Sequence, residues 1–159
     1  MFFWQKRGIK SEELSNSHLF DQKTFYNSFI KDLTHCCHEV VIESPFITSS
    51  RMSQLTPIFK ELLNRKVNIV IITRDPIDHD EYIRDQATNE ILYCNEIGVK
   101  IVLLRGNHHR KLAILDRKIL WEGSLNILSQ NSSQEIMRRI EGTQTVTEMF
   151  NFLKLYKLF

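Results

Sequence analysis

The sequence predicts an α/β domain: a mixed, mostly parallel central sheet with helices on both faces. Three observations carry that expectation. Short β-branched runs alternate with longer stretches of helical periodicity, the order that builds parallel strands joined by crossover helices. One of those runs, residues 67–73 (VNIVIIT), is apolar almost throughout, as in a strand covered on both sides. Toward the end of the chain the alternation gives way to two closely spaced strands, so antiparallel strands finish the sheet. At 159 residues, with 42% hydrophobic and 25% charged content, the chain can bury one core without staples.

Residues 1–20 have no regular pattern and are expected to be an irregular segment, with Phe2, Phe3 and Trp4 packing onto a single domain at 21–159. From 21 to about 37, Phe25, Phe29, Ile30 and Leu33 recur at helical spacing behind Asp21 as N-cap. Residues 39–47 form a β-rich run stopped by Pro45. Helical spacing resumes over 49–65 through Leu55, Ile58, Phe59, Leu62 and Leu63. Pro57 belongs in a first turn, which moves the expected helix start toward Thr56. Residues 79–97 are a further helix, stopped by Gly98, and 99–104 a further strand. After residue 126 come a polar loop, a strand at 135–140 and a closing helix from 143 to about 156.

Residues 109–126, HRKLAILDRKILWEGSLN, hold the polar groups that this scaffold does not explain. They read as strand, tight turn, strand and small-residue loop. Alternate side chains of a strand share a face, so His109 and Lys111 point one way while Leu112, Ile114 and Asp116 point the other. Arg110 is expected to point away from His109. Asp116 and Arg117 make the turn, and Ser124 and Asn126 share a side beyond it. An imidazole, an ammonium, a hydroxyl and an amide suit a phosphate diester: nucleophile or acid, counter-charge, and donors for its oxygens. A buried hairpin with a solvated basic edge accounts for Leu112 and Ile114 but not for this set.

Charge agrees locally rather than globally. The formal net charge is only +2, but residues 99–126 carry six Lys/Arg against Asp116 and Glu122, a patch that attracts a polyanion. Three cysteines without metal-type spacing imply reduced thiols in a cytoplasmic protein. His35 and His38 flank Cys36 and Cys37 at an expected helix end, where surface histidines are common, and no metal site is expected. His79 opens a helix with Asp80 and Glu81, whose acids complement the dipole. His108 is next to His109 but on the opposite face. No secretory leader is expected, and no apolar run approaches the roughly 18 residues of a membrane span.

The spacing of His109, Lys111, Asp116, Gly123, Ser124 and Asn126 resembles the HKD motif of the phospholipase D superfamily, with every position filled. Ser44-Pro45-Phe46 is similar to the element ending that family's first strand, and LLNRKVNIVIITRDP to its usual helix and second strand, so the resemblance spans roughly 39–142. It implies a metal-independent phosphodiesterase without a cofactor, working through a covalent phosphohistidine. His109 would be the nucleophile, and Lys111, Asn126 and Ser124 would hold the phosphate. Glu135, nine residues past Asn126, matches the acid that contacts the catalytic histidine in the family's small nucleases. Asp116 is expected to brace the hairpin or orient the site.

One motif per chain implies a homodimer in which one His109 attacks while its mate supplies a proton, the two titrating as a pair. The leading expectation is a DNA endonuclease, serving a helicase or restriction system; WEGSLNILS followed by SQEIMRR resembles modules attached to some DNA helicases. The alternatives are a phospholipid or cardiolipin hydrolase of the same superfamily, without integral membrane association, and a non-catalytic nucleic-acid-binding module.

Overall fold

A computed structural model describes residues 16–129 and 132–159. The elements in chain order are β1 (Ser17–Asp21), α1 (Phe25–Thr34), β2 (Glu39–Glu43), α2 (Ser49–Asn64), β3 (Asn68–Arg74), α3 (Glu81–Ile97), β4 (Lys100–Leu104), β5 (Leu112–Leu115), β6 (Ile119–Gly123), β7 (Ile136–Glu141) and α4 (Thr143–Phe152). Short 3-10 turns sit at Pro76–Asp78 and Leu155–Leu158. The strands form one seven-stranded sheet in the order β1-β7-β6-β5-β2-β3-β4.

The mixed α/β class is as expected, but the parallel share is smaller. Only β2 with β3 and β3 with β4 run parallel. The β2–β5, β5–β6, β6–β7 and β7–β1 ladders are antiparallel. The parallel part ends where crossover helices end: after β4 the chain crosses back past β3 and β2, and β5, β6 and β7 then follow one another as antiparallel neighbours.

Alternation along each strand sorts the core into two layers. Val40, Ile42, Ile69, Ile71, Ala113 and Trp121 pack with Phe25, Phe29, Leu55, Phe59, Leu62 and Ile91 from α1, α2 and α3. Val41, Val70, Ile72, Ile114 and Leu120 pack on the other face with Val146 and Phe150 of α4. Trp121, wholly buried, meets Phe25 edge-on at 5.2 Å, and its Nε1 donates to Asp32 Oδ2 at 2.9 Å. Arg139 Nε donates to that same oxygen at 2.7 Å, tying β7 to α1.

Several boundaries differ from the sequence expectation. The irregular segment does not extend to residue 20, because 17–21 pairs with β7 as an edge strand. Asp21 therefore ends a strand and is not a helix N-cap; its carboxylate accepts the N–H groups of Lys23 and Thr24 in the turn leading to α1. Phe2, Phe3 and Trp4 lie outside the described residues. α2 starts at Ser49 and runs through Pro57. The carbonyl that proline deprives of a donor belongs to exposed Ser53, where water can satisfy it. The 79–97 helix begins at Glu81, with the Asp80 side chain accepting from Ile83 N–H, and Gly98 stops it at φ 103°. The closing helix ends at Phe152 and gives way to the last 3-10 turn. Among the described residues no helix is long and apolar enough to cross a membrane.

Candidate active site

The β5–β6 hairpin fixes the motif from its turn end. Asp116 and Arg117 both have positive φ, 50 and 51 degrees. That left-handed pair has the twist that suits a two-residue hairpin. Burial pushes the Asp116 carboxyl up, but backbone N–H donors from Glu39, Cys37 and His38 outweigh it and hold the pKa below the usual carboxylate value. Those bonds measure 2.9, 2.8 and 2.8 Å. Asp116 thus clasps the chain entering β2. It sits at the opposite end of β5 from His109, roughly 13 Å of strand away, and its carboxylate braces the hairpin.

At the other end the structure corrects the strand reading. β5 begins at Leu112, so His109, Arg110 and Lys111 form an irregular lead-in. His109 and Lys111 still converge: Lys111 Nζ lies 2.8 Å from His109 Nδ1 and donates to the His109 carbonyl at 2.8 Å. Arg110 also lines the cleft beside His109 and Lys111, against the expectation that it points away, and its guanidinium is tied to Glu43. Its Nε and Nη2 donate to Glu43 Oε2 and Oε1 at 2.6 and 3.2 Å. Glu43, wholly buried at the end of β2, also stands 3.7 Å from His108 Nε2. Arg110, on one side of His109, is thus tied to a buried carboxylate, and the His109 ring is left exposed.

His108 is kept neutral. Burial first, then the charges of Arg110 and Arg74, bring its pKa down to about 4. Burial and Arg74 lower that of His79 as well. The unfolded chain takes up a proton at each ring near pH 6.5, while the folded chain resists, so the unfolded state binds more protons below that pH. Stability from His108 is complete above pH 6.5 and is lost between there and about pH 4. Denaturant unfolding should show a fall of about 2–3 kcal/mol from this ring over that window, and His108→Gln should shrink the pH dependence.

His109 and Lys111 open onto a cleft of about 430 Å³, also lined by Glu122, Gly123, Ile136 and Arg138. Burial lowers the Lys111 pKa, the charge of Glu135 opposes this, and Arg74 adds to it. The Glu135 Oε1 accepts the Ser133 hydroxyl at 2.7 Å. Ser124 is bonded to the backbone of β7. Its hydroxyl accepts from Ile136 N–H at 3.1 Å, and its own N–H donates to the Ile136 carbonyl at 2.9 Å, closing β6 against β7.

Asn126 is half-buried with Oδ1 unpartnered. Its loop is pinned by Tyr26, whose hydroxyl donates to the Ile127 carbonyl at 2.8 Å. Ser44 pins the same loop, its Oγ accepting from Leu128 N–H at 3.2 Å and donating to the Phe46 carbonyl at 3.1 Å. The Ser44-Pro45-Phe46 element thus supports the loop behind Asn126.

Gly123 is required by contact. A Cβ there would lie 2.2 Å from the Ile136 carbonyl oxygen, a backbone atom that cannot turn aside. Gly123→Ala should cost about 1–3 kcal/mol and part β6 from β7, read as a lowered denaturant midpoint.

Sequence reasoning misses Glu43, Arg74 and Tyr26. For the first two a signal exists: each is a charge closing an apolar strand, and ligands of α/β sheets gather beyond the carboxyl ends of parallel strands. Tyr26 lies on an expected helix with nothing to link it to a loop far along the chain. Among the described residues no group of three or more His, Cys, Asp or Glu is placed to hold a metal ion, the His35–His38 stretch included.

Comparison with known proteins is consistent with this geometry. A family profile described as "Cardiolipin synthase, PLD-like domain" matches residues 29–155. No curated protein matches the sequence. Among solved structures, NucT from Helicobacter pylori superposes with a TM-score of 0.69 at 21% identity, over 87% of this chain and 92% of that one. Nuc from Salmonella typhimurium, a phospholipase D family member, gives 0.71 at 10% identity over 87% and 91%. The phosphatidylserine synthase of Haemophilus influenzae gives 0.63 at 16% identity, over 84% of this chain but 37% of that protein. With most of its length matched by the family profile and its fold shared with these structures, the chain belongs to the phospholipase D-like family.

Proposed function

We propose that this protein is a metal-independent phosphodiesterase that cleaves DNA through a covalent intermediate on His109, working as a homodimer in the cytoplasm and serving a helicase or restriction partner. The observation that carries the reading is the contact of Lys111 Nζ with His109 Nδ1 at the mouth of an open cleft. It joins a nucleophile to a counter-charge where a phosphate can enter.

In that contact Nδ1 faces the ammonium and so accepts, which leaves the ring proton on Nε2. For Nε2 to attack, that proton has to move to Nδ1, so Lys111 leaves the ring for the phosphate oxygens. Glu135 is the acceptor proposed for Nδ1–H. The N–P bond then forms as the P–O bond breaks, and the leaving oxygen takes its proton from an imidazole on the opposite side. Water then attacks phosphorus, giving a proton to that second, now neutral imidazole, and the N–P bond breaks with its electron pair returning to His109 Nε2. Each chain brings one such motif, and the second imidazole comes from a second copy. Leu19 and Ile136 are exposed beside the cleft and offer that copy an apolar rim.

Purified protein incubated with supercoiled plasmid in EDTA should give nicked or linear product. Intact plasmid in chelator, with cleavage restored only by added divalent metal, would overturn the reading. The same apolar rim favours a second reading, a phospholipid hydrolase. Release of phosphatidic acid from vesicles, with plasmid untouched, would establish it in place of the first.

A further inference from the structure

Beside the cleft, beyond the carboxyl ends of β2 and β3, lies a second polar cluster that this chemistry leaves unused. Arg74 closes β3, its guanidinium carbon 5.6 Å from the centroid of the half-exposed Phe46 ring. Its Nε is buried and makes no hydrogen bond. Among the described residues no carboxylate pairs with it, and neighbouring Asp75 is taken by Arg105 at 2.9 Å. The Phe46 ring also receives His79, centroid to centroid 5.0 Å, and the Nε2 atoms of His79 and His108 are likewise buried without a hydrogen bond.

Leaving a buried donor unsatisfied costs about 1–3 kcal/mol, more when it is charged. A guanidinium with its Nε in that condition, at a strand end, has the planar donor fork of a bidentate anion receptor. Arg74 and Lys111 flank strands separated only by β2, about 10 Å of backbone spacing that two long side chains readily bridge. The charge of Arg74 is felt at Lys111, His108 and His79 alike.

We propose that Arg74 binds the phosphate next to the scissile one, with Phe46 supporting its guanidinium, so that the preferred substrate is a polynucleotide with at least two consecutive phosphodiesters rather than a molecule with a single one. This rests on His109 and Lys111 being the cleaving pair. Two cations at fixed separation read the repeat of a phosphate backbone, which a lone diester lacks.

The test compares kcat/KM for a short single-stranded oligothymidylate with that for bis(p-nitrophenyl) phosphate, in the full chain and in Arg74→Gln. Arg74→Met, which keeps the stem against Phe46, replaces Arg74→Gln if the latter does not fold. The wild type's preference for the oligonucleotide should fall tenfold or more in the variant, mostly through KM. An unchanged ratio overturns the second subsite. If the wild type hydrolyses neither substrate, the cleavage reading fails on its own. Binding of a labelled oligothymidylate, measured by fluorescence anisotropy, then decides the subsite: a tenfold weaker affinity in the variant supports it, and equal affinity overturns it.

Discussion

His109→Ala should abolish plasmid cleavage, by at least about a thousandfold, the scale on which loss of a nucleophile is felt when the surrounding charges remain. Thermal stability should be little affected, because the ring is exposed and the neighbouring Arg110 stays tied to Glu43. Lys111→Met should lower turnover strongly too, since the developing charge on phosphate loses its nearest cation. Cleavage by His109→Ala at the wild-type rate would place the chemistry elsewhere.

Asp116→Ala carries the largest expected stability effect. Three backbone N–H groups, on Cys37, His38 and Glu39, lose one shared acceptor. A charged acceptor is worth more than a neutral one, and water can reach this half-buried group. The expected loss is about 3 kcal/mol, or about 6–12 °C in Tm for a chain of this length. The same carboxylate gives a pH signature. Because its folded pKa lies below 3.8, its contribution is complete above that value and disappears as pH falls through the folded pKa. Acid unfolding of the wild type should therefore show a steep final loss below about pH 4 that the variant lacks. A variant as stable as the wild type at neutral pH would refute the clasp.

The contrast between these two residues shows what the sequence can and cannot disclose. The spacing of His109, Lys111 and Glu135 is written along one stretch of chain, but the first two converge in an irregular lead-in to β5, through the contacts of Lys111 Nζ with the His109 ring and carbonyl, and not through strand parity. The Ser124 hydroxyl accepts from the Ile136 N–H, a partner twelve residues away that no local pattern names. Glu43 and Arg74 sit where apolar strands stop. Their roles depend on sheet order, which places β2 between β3 and β5 and which periodicity does not encode. Pro57 obscures the helix start at Ser49, because its tolerance depends on an exposed carbonyl and not on the residue type. The edge strand at 17–21 escapes pattern reading because a half-exposed strand paired on one side carries little apolar alternation.

The central claim is that two chains pool their motifs, and heterodimers test it most directly. Wild-type and His109→Ala chains carrying different tags can be co-expressed and the mixed species isolated by sequential capture. With one imidazole as nucleophile and the other as acid, the mixed species should cleave plasmid at no more than about a hundredth of the wild-type rate, the scale on which a general acid contributes. Mixed species retaining half of the wild-type rate would mean that each chain acts alone, and the paired mechanism would be wrong.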